Sequence, residues 1–202
     1  MHAIRLVSIG AIVLSTTLSF GCGGTKVGRM DSGAVTDLSG DWNDTDARLV
    51  SEEMIKDVLS APWLARNKTA GNKTPAIIMG EIRNLSHEHI AVNTFVSDIE
   101  RILINAGDVQ FVASSSERQE IRGERGEQDK NSTEETRKAM FKEQGADFML
   151  KGEINTIIDA EGKTQVKFYQ VDLYLISMTN NNKVWVGQKK IKKLVEKGKT
   201  RI

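Results

Sequence analysis

The sequence predicts an α/β fold of the α+β kind, in which a small mixed sheet ends in an antiparallel three-strand meander and is flanked by about four helices. Apolar residues recur at helical spacing in several segments between residues 44 and 145, and two short strand-like runs interrupt them. After Gly145 the pattern is that of strands alone. Packing helices against one sheet is the simplest way to bury both kinds of apolar face.

Two amphipathic segments predict the first two helices. Helix one has a polar cap at Asp44 or Thr45, continues with apolar residues at helical spacing and stops at Pro62. Helix two is predicted by the apolar stripe over residues 95–106. Gly107 stands directly after that stripe, where a helix commonly ends with a residue in the left-handed conformation.

Five segments have the pattern of strands. The continuous apolar run 76–80 predicts a strand covered on both faces, and residues 109–113 predict a second strand. Alternating apolar and polar residues over 148–154, 166–176 and 184–186 predict the three strands of the meander.

A polar region separates the second strand from the meander. Ser114 or Ser116 can open a capping box for a third helix that reaches about Arg125. The stretch 126–131 is predicted to be a loop, and a fourth helix is predicted to begin at Ser132, to continue through residues 139–141 and to be closed by Gly145.

Length and charge restrict the class of protein. At 202 residues the chain has room for one domain of ordinary size, about 100–150 residues, together with a leader and a tether. The net charge of +1 comes from Arg5 in the leader, so the chain from Cys22 onward carries no net charge. This balance argues against a nucleic-acid-binding protein.

The first 21 residues have the features of a secretion signal. One positive charge, Arg5, precedes an apolar run over residues 6–18, which is shorter than the ~20 residues that a membrane-spanning helix needs. The run leads into Leu-Ser-Phe-Gly-Cys at residues 18–22, which resembles the lipobox of bacterial lipoproteins. We therefore expect residues 1–21 to be a lipoprotein signal peptide.

Cys22 is the predicted acceptor of a membrane anchor. Its thiol is the nucleophile that can carry a diacylglycerol, and an N-acyl chain such as palmitate completes a stable anchor. No other cofactor is expected. Residues 22–36, the lipidated cysteine and a Gly- and Ser-rich stretch, form a predicted flexible tether. The alternative is that Cys22 is a free thiol within a signal peptide that is cut elsewhere.

Three segments of the mature chain resemble the LpoB-type outer-membrane lipoproteins, which activate penicillin-binding proteins. They are residues 37–46 (DLSGDWNDTD), 84–90 (NLSHEHI) and 145–154 (GADFMLKGEI). The last segment is also similar to the N-terminal domain of the Tol-system protein TolB. The resemblance implies a small mixed sheet flanked by helices, and it makes residues 37–202 an LpoB-like globular domain.

The resemblance also implies a function. It predicts a non-enzymatic lipoprotein that is anchored in the outer membrane, faces the periplasm, and binds and activates a class A penicillin-binding protein, the peptidoglycan synthase, during cell-wall growth. Contact with peptidoglycan is a further expectation. The tether is much shorter than the long disordered arms of the best-known members. The alternative is a scaffold lipoprotein that links the membrane to the cell wall or to a Tol-type complex without activating an enzyme.

The sequence gives little support to catalytic or metal chemistry. No Gly-x-Ser-x-Gly motif marks a serine nucleophile. His87 and His89 flank Glu88 without a third ligand nearby, so we interpret them as loop residues and expect no metal site. Capping of helix one is a simpler explanation for Asp44 than a role as one of the two catalytic carboxylates of a glycosidase.

Aromatic side chains are the candidates for a partner surface, because tryptophan and tyrosine are enriched at interface hot spots. The sequence offers Trp42, Trp63, Tyr169 and Trp185. The competing interpretation of the two tryptophans that bracket helix one, Trp42 and Trp63, is that they join the helix ends to the core. The meander aromatics face a partner only if they lie on an uncovered face of the sheet.

Overall fold

The computed structural model describes residues 25, 27–71, 73–138, 143–196 and 198. The predicted signal peptide 1–21, Cys22 and the end of the predicted fourth helix, 139–141, lie outside the described residues. The chain divides into two units, 1–32 and 33–202. The described residues of the first unit form no helix or strand, and the fold is that of the second unit.

Four helices and five strands follow one another in the described part of the chain. In order they are α1 (Asp44–Ser60), α2 (Pro62–Thr69), β1 (Ala76–Asn84), α3 (Val92–Ala106), β2 (Gln110–Val112), α4 (Ser115–Asn131), β3 (Phe148–Glu161), β4 (Thr164–Ser177) and β5 (Lys183–Glu196). The strands form one sheet in the order β2-β1-β3-β4-β5. β1 is parallel to β2 and β3, whereas β3, β4 and β5 are antiparallel. The predicted mixed sheet ending in a three-strand meander is confirmed.

Helix α1 begins one residue earlier than the sequence predicted. Its cap is Asn43, whose side chain accepts the backbone N–H of Asp46, while the carboxylate of Asp46 accepts the N–H of Asn43. The helix ends before Pro62 as predicted, but Pro62 then begins the short helix α2, which the sequence analysis missed. Proline is well suited to this first position because its missing N–H would have no helical partner there.

Helix α3 follows its prediction closely. Its apolar stripe buries Phe95, Ile99 and Leu103 completely, at 0% exposure each. Gly107 ends the helix with a φ of 73°, which is the left-handed conformation that favours glycine.

The region after β2 differs from its prediction. Ser114 and Glu117 form the predicted capping box, but α4 continues to Asn131, so the predicted loop 126–131 is wrong. Side-chain contacts one turn apart support this polar end of the helix, and one of them joins Gln128 to Glu124 at 3.0 Å. The predicted fourth helix is also wrong over residues 132–138, which form a turn and irregular backbone.

The two faces of the sheet have different surroundings. Helices α1 and α3 pack together on one face, where Ile154, Leu173 and Leu175 are each 0% exposed. The opposite face, which we call the open face, keeps large apolar side chains in solvent. Helix α4 does not cover it, because none of the residues of α4 is buried.

None of the described helices is long and apolar enough to cross a membrane. The core of the domain lies between one helical layer and one sheet. The strands β3, β4 and β5 of this sheet are each 14 residues long.

The close approach of β3 and β4 makes Gly152 a sensitive position. A Cβ atom there would lie 2.5 Å from the backbone oxygen of Asp172. We expect Gly152→Ala to lower the free energy of unfolding by about 1–3 kcal/mol, because backbone atoms must move to admit the methyl group. The measurement is urea denaturation. Gly123→Ala is the control, since a Cβ in that exposed turn of α4 meets no atom within 4 Å; equal losses in the two variants would contradict the prediction.

Candidate functional site

A cluster of polar side chains fastens the segment before α1 to the sheet, and we call this cluster the clasp. Its members are Asp37, Asp41, Asp46, Glu88, Lys167, Tyr169 and Lys193. The clasp joins three parts of the chain that are distant in sequence. These are the entry segment (residues 37–43) with the first turn of α1, the loop between β1 and α3, and the strands β4 and β5.

Glu88 is the centre of the clasp. Its carboxylate accepts hydrogen bonds from the Nζ of Lys167 at 2.7 Å, from the hydroxyl of Tyr169 at 2.7 and 2.9 Å, and from the backbone N–H of Trp42 at 3.0 Å. Lys167 also contacts the carboxylate of Asp41. The side chains of Glu88 and Lys167 are only 15% and 9% exposed, so this ion pair lies largely out of water.

The loop sequence explains why Glu88 points inward. The side chain of Asn84 accepts the backbone N–H of Ser86 at 3.0 Å and donates to the backbone oxygen of Glu88 at 2.8 Å. These bonds fold the loop back on the end of β1. His87 and His89 on either side of Glu88 are exposed. Among the described residues, no group of three or more His, Cys, Asp or Glu side chains is arranged to hold a metal ion.

Lys193 forms the second half of the clasp. Its Nζ donates to the carboxylates of Asp37 and Asp46 at 2.6 Å each, and to the backbone oxygen of Asp41 at 3.1 Å. Lys193 lies directly opposite Lys167 in the register of β4 and β5. Two ammonium groups at directly opposed positions repel each other, so the carboxylates of the entry segment are needed to hold them there.

The pKa values of the clasp residues are shifted in the directions that these contacts require. Burial, followed by the hydrogen bond to Glu88, raises the pKa of Tyr169 well above its ordinary value. Hydrogen bonds from Lys193 and Lys167 lower the pKa values of Asp37 and Asp41, respectively. Burial opposes the charge of each lysine, but the neighbouring carboxylates outweigh it, and the pKa values of both lysines are raised.

These contacts give the clasp a structural role. Its ammonium groups, carboxylates and hydroxyl bind one another, and the segment that it holds leads directly into α1. The sequence analysis did not assign Glu88 or Lys167 to any contact. The signals were present: a lysine lies inside the apolar strand pattern around Tyr169, and a carboxylate lies two residues after a turn-forming Asn-x-Ser motif.

The structure places the aromatic candidates for a partner surface mostly inside the domain. Trp63, Tyr169 and Trp185 are 3%, 0% and 8% exposed, and Trp42 is half-buried. A buried side chain offers no area to a partner, so we do not assign these three to an interaction surface. Cys22, the predicted lipid attachment site, lies outside the described residues and stays a prediction.

The tryptophans have contacts that account for their burial. The Nε1 of Trp63 donates to the backbone oxygen of Val58 at 2.7 Å, which ties the end of α1 to the start of α2. The Nε1 of Trp185 donates to the carboxylate of Asp57 at 2.9 Å, which ties β5 to α1. Trp42 meets the ring of Tyr169 edge-on at 5.7 Å between centroids. These residues join helix ends and strands to the core.

The open face of the sheet carries the exposed apolar residues that the aromatic candidates do not supply. One group lies toward the β3–β4 turn, where Ile157 is opposite Phe168 and Val166 is opposite Leu194. We call these four residues the hairpin cluster. Ile157 on β3 and Leu194 on β5, on either side of β4, are each 65% exposed, so the cluster presents apolar area to solvent. The sequence analysis missed them.

Polar groups occupy the middle of the open face. Arg83 pairs with Glu153 at 2.7 Å, and Glu153 lies directly opposite Asp172. The carboxylate of Asp172 accepts hydrogen bonds from the side chains of Gln170 and Gln188 at 2.8 and 2.7 Å. Beyond these groups the face carries both apolar side chains such as Val186 and charged ones such as Lys183, whose ammonium lies over the ring of Tyr174. It therefore has the mixture of apolar and polar side chains that protein interfaces use.

The clasp generates a prediction about stability. We expect Glu88→Gln to lower the free energy of unfolding by about 3 kcal/mol, because it leaves the buried ammonium of Lys167 with fewer charged partners. Urea denaturation measures this loss. Asp98→Asn is the control, since it breaks only an exposed pair with Arg101 and should change the free energy by less than about 0.5 kcal/mol. Similar losses in both variants would show that the clasp contributes nothing special.

A second prediction concerns pH. The raised pKa of Tyr169 means that its contribution to stability is complete below pH 10.0 and is lost as the pH rises above that value, as are those of Lys167 and Lys193 above pH 10.5. The lowered pKa values of Asp37 and Asp41 add stability that is lost as the pH falls below 3.8. Unfolding free energies across a pH series should therefore fall at both extremes. Tyr169→Phe should make the alkaline decline less steep, and an unchanged decline would refute this assignment.

Comparisons with known proteins place the chain in a family. The family described as peptidoglycan-synthase activator LpoB matches residues 46–191. A search of curated proteins found no match. Among solved structures, the chain is similar to the LpoB C-terminal domain from Salmonella enterica, with 12% identity, a TM-score of 0.43, and coverage of 72% of this chain and 98% of that one.

Two further solved structures show similarity at the same low level of identity. Lipoprotein GNA1162 from Neisseria meningitidis has 16% identity, a TM-score of 0.38, and coverage of 62% of this chain and 88% of that one. The PelC dodecamer from Paraburkholderia phytofirmans has 13% identity, a TM-score of 0.35, and coverage of 62% and 75%. The family match, which spans most of the domain, decides the assignment: this chain belongs to the LpoB family of peptidoglycan-synthase activators.

Proposed function

We propose that this protein is anchored through a lipid on Cys22 at the periplasmic face of the outer membrane, and that it binds and activates a class A penicillin-binding protein. Membership of the LpoB family is the observation that carries this proposal. The signal-like leader and the lipobox-like residues 18–22 support the anchoring. The protein acts as a regulator in this proposal, and the catalytic residues belong to the synthase.

The open face is the surface that we assign to the synthase. It presents the hairpin cluster, with Ile157 and Leu194 both 65% exposed, beside charged groups that can fix the orientation of a partner. The helical face is already used to build the core. A partner that covers the open face therefore removes apolar area from water without disturbing the fold.

Binding to the synthase does not by itself activate it. An activator raises the rate only if it binds the active conformation of the synthase more tightly than the resting one, and the difference in affinity sets the largest possible effect. A rigid surface is suited to this role, because it does not adapt equally well to both conformations. The clasp and the core keep the open face on a single rigid sheet.

The tether restricts where the two proteins meet. Residues 23–36 span about 50 Å when fully extended. The domain is therefore held close to its membrane, and in this proposal the synthase has to extend most of the distance across the periplasm to reach the open face.

Reconstitution tests the proposal. The lipidated protein, purified in detergent, is added to a class A synthase from the same organism, and glycan polymerisation is followed over time. We expect complex formation and a faster reaction. Absence of both would refute the proposal. Binding without any change of rate would refute activation and favour the scaffold alternative.

The anchor has its own test. Cells that produce the parent protein or Cys22→Ala are labelled with a fatty-acid analogue, and the protein is recovered and examined for label. We expect label in the parent protein only. Equal labelling of the two proteins, or a full-length unprocessed protein, would refute lipidation at Cys22.

The binding surface is tested by charge insertion. We expect the double variant Ile157→Asp, Leu194→Asp to weaken synthase binding by about 100-fold, since loss of central apolar contacts commonly costs 2 kcal/mol or more. The matched control is Leu49→Asp, Ile104→Asp, which makes the same change at exposed positions of α1 and α3. Both variants should keep the stability of the parent. Equal binding by the two variants would exclude the hairpin cluster from the interface.

A further inference from the structure

A cleft of about 860 Å³ lies at the end of the sheet where β1, β2 and β3 begin and β4 ends. The clasp is at the other end of the long strands. Ten residues of β4 separate Lys167 from Ser177 at the rim of the cleft, which corresponds to about 33 Å of extended strand. The volume is within the range of about 300–1,000 Å³ that small-molecule sites occupy.

Carboxamide side chains distinguish the lining of this cleft. Asn67, Gln110 and Gln144 all contribute to it, together with hydroxyl groups such as that of Thr179. The side chain of Gln144 donates to the carboxamide oxygen of Gln110 at 2.5 Å, which brings these two groups to one place on the cleft wall. A carboxamide both donates and accepts hydrogen bonds, as the hydroxyl and acetamido groups of a sugar do.

The charges of the lining exclude strongly ionic ligands. Among the described residues of the lining, Lys73 is the cation and Asp147 the anion, so their charges balance. One carboxylate oxygen of Asp147 accepts the backbone N–H of Ala76 at 2.8 Å, which fixes the start of β1 against the start of β3. A polyphosphate or a polycation would need an excess of opposite charge that this cleft does not offer.

An aromatic ring completes the lining. Phe148 is half-buried, and its ring packs edge-on against Trp63 with 5.1 Å between centroids. The contact with Trp63 holds the ring in place at the cleft. Its apolar surface suits the C–H groups of a sugar ring, while the surrounding carboxamides suit the polar substituents.

We propose that this cleft binds a neutral saccharide that carries hydroxyl and acetamido groups, the chemistry of the glycan strands of the cell wall. Sugar binding in itself does not depend on the proposed synthase activation. The cleft lies at the end of the sheet opposite the clasp, so neither site occupies the surface of the other.

Calorimetric titration of the lipidated protein in detergent with chitotetraose tests the site. We expect saturable binding, and an increase of about tenfold in Kd for Gln110→Ala, Gln144→Ala, because several hydrogen bonds to the sugar are lost. The control is Gln119→Ala, Gln165→Ala, which removes two carboxamides outside the cleft and should leave Kd unchanged. Urea denaturation of both variants confirms that they remain folded.

Each outcome decides the proposal. Absence of binding at millimolar chitotetraose would overturn it, as would binding that the two cleft substitutions do not weaken, because the sugar would then lie elsewhere. Inorganic phosphate should not compete with the sugar, and competition would overturn the assignment to a neutral ligand. No synthase is present in this experiment, so failure of activation and failure of sugar binding are told apart.

Discussion

The ion pair between Glu88 and Lys167 is the contact on which the arrangement of this domain depends. A charge buried in a sheet is tolerated only when it is paired and hydrogen-bonded, and Lys167 additionally faces a second ammonium, that of Lys193. The entry segment and the β1–α3 loop supply the missing carboxylates. Asp46 joins this network to the cap of α1, so the start of the helical layer, the loop and two strands are fixed by one set of charges.

The clasp also explains why the two faces of the sheet can serve different purposes. All of its charged groups, and both helices of the core, lie on one face. The opposite face carries polar contacts such as Arg83–Glu153 but is covered by neither core helix, and side chains such as Ile157 and Leu194 remain in solvent there. Exposed apolar side chains lower the solubility of a protein unless a partner covers them. Because those of the open face do not contribute to the core, we propose that a partner binds there.

The sequence predicted the elements whose signals are local. The end of α3 at Gly107 and the three strands of the meander depend on turn chemistry and alternation, and both are found. The exposed apolar residues of the open face were not predictable in this way. Tyr169 and Phe168 are adjacent aromatic residues, and alternation shows that they point to opposite faces but not which face the helices cover. Tyr169 proves to be fully buried beneath the helical layer, whereas Phe168 belongs to the open face.

Local sequence patterns were also insufficient to predict the polar segments. Helix α4 continues past Gly126 although none of its residues is fully buried, so no apolar pattern marked its end. Glu88 was hidden for the opposite reason, since its environment is made by residues that are distant in sequence. Long-range electrostatics thus determine where the entry segment joins the sheet, and this junction lies at the end of the long strands opposite the polar cleft.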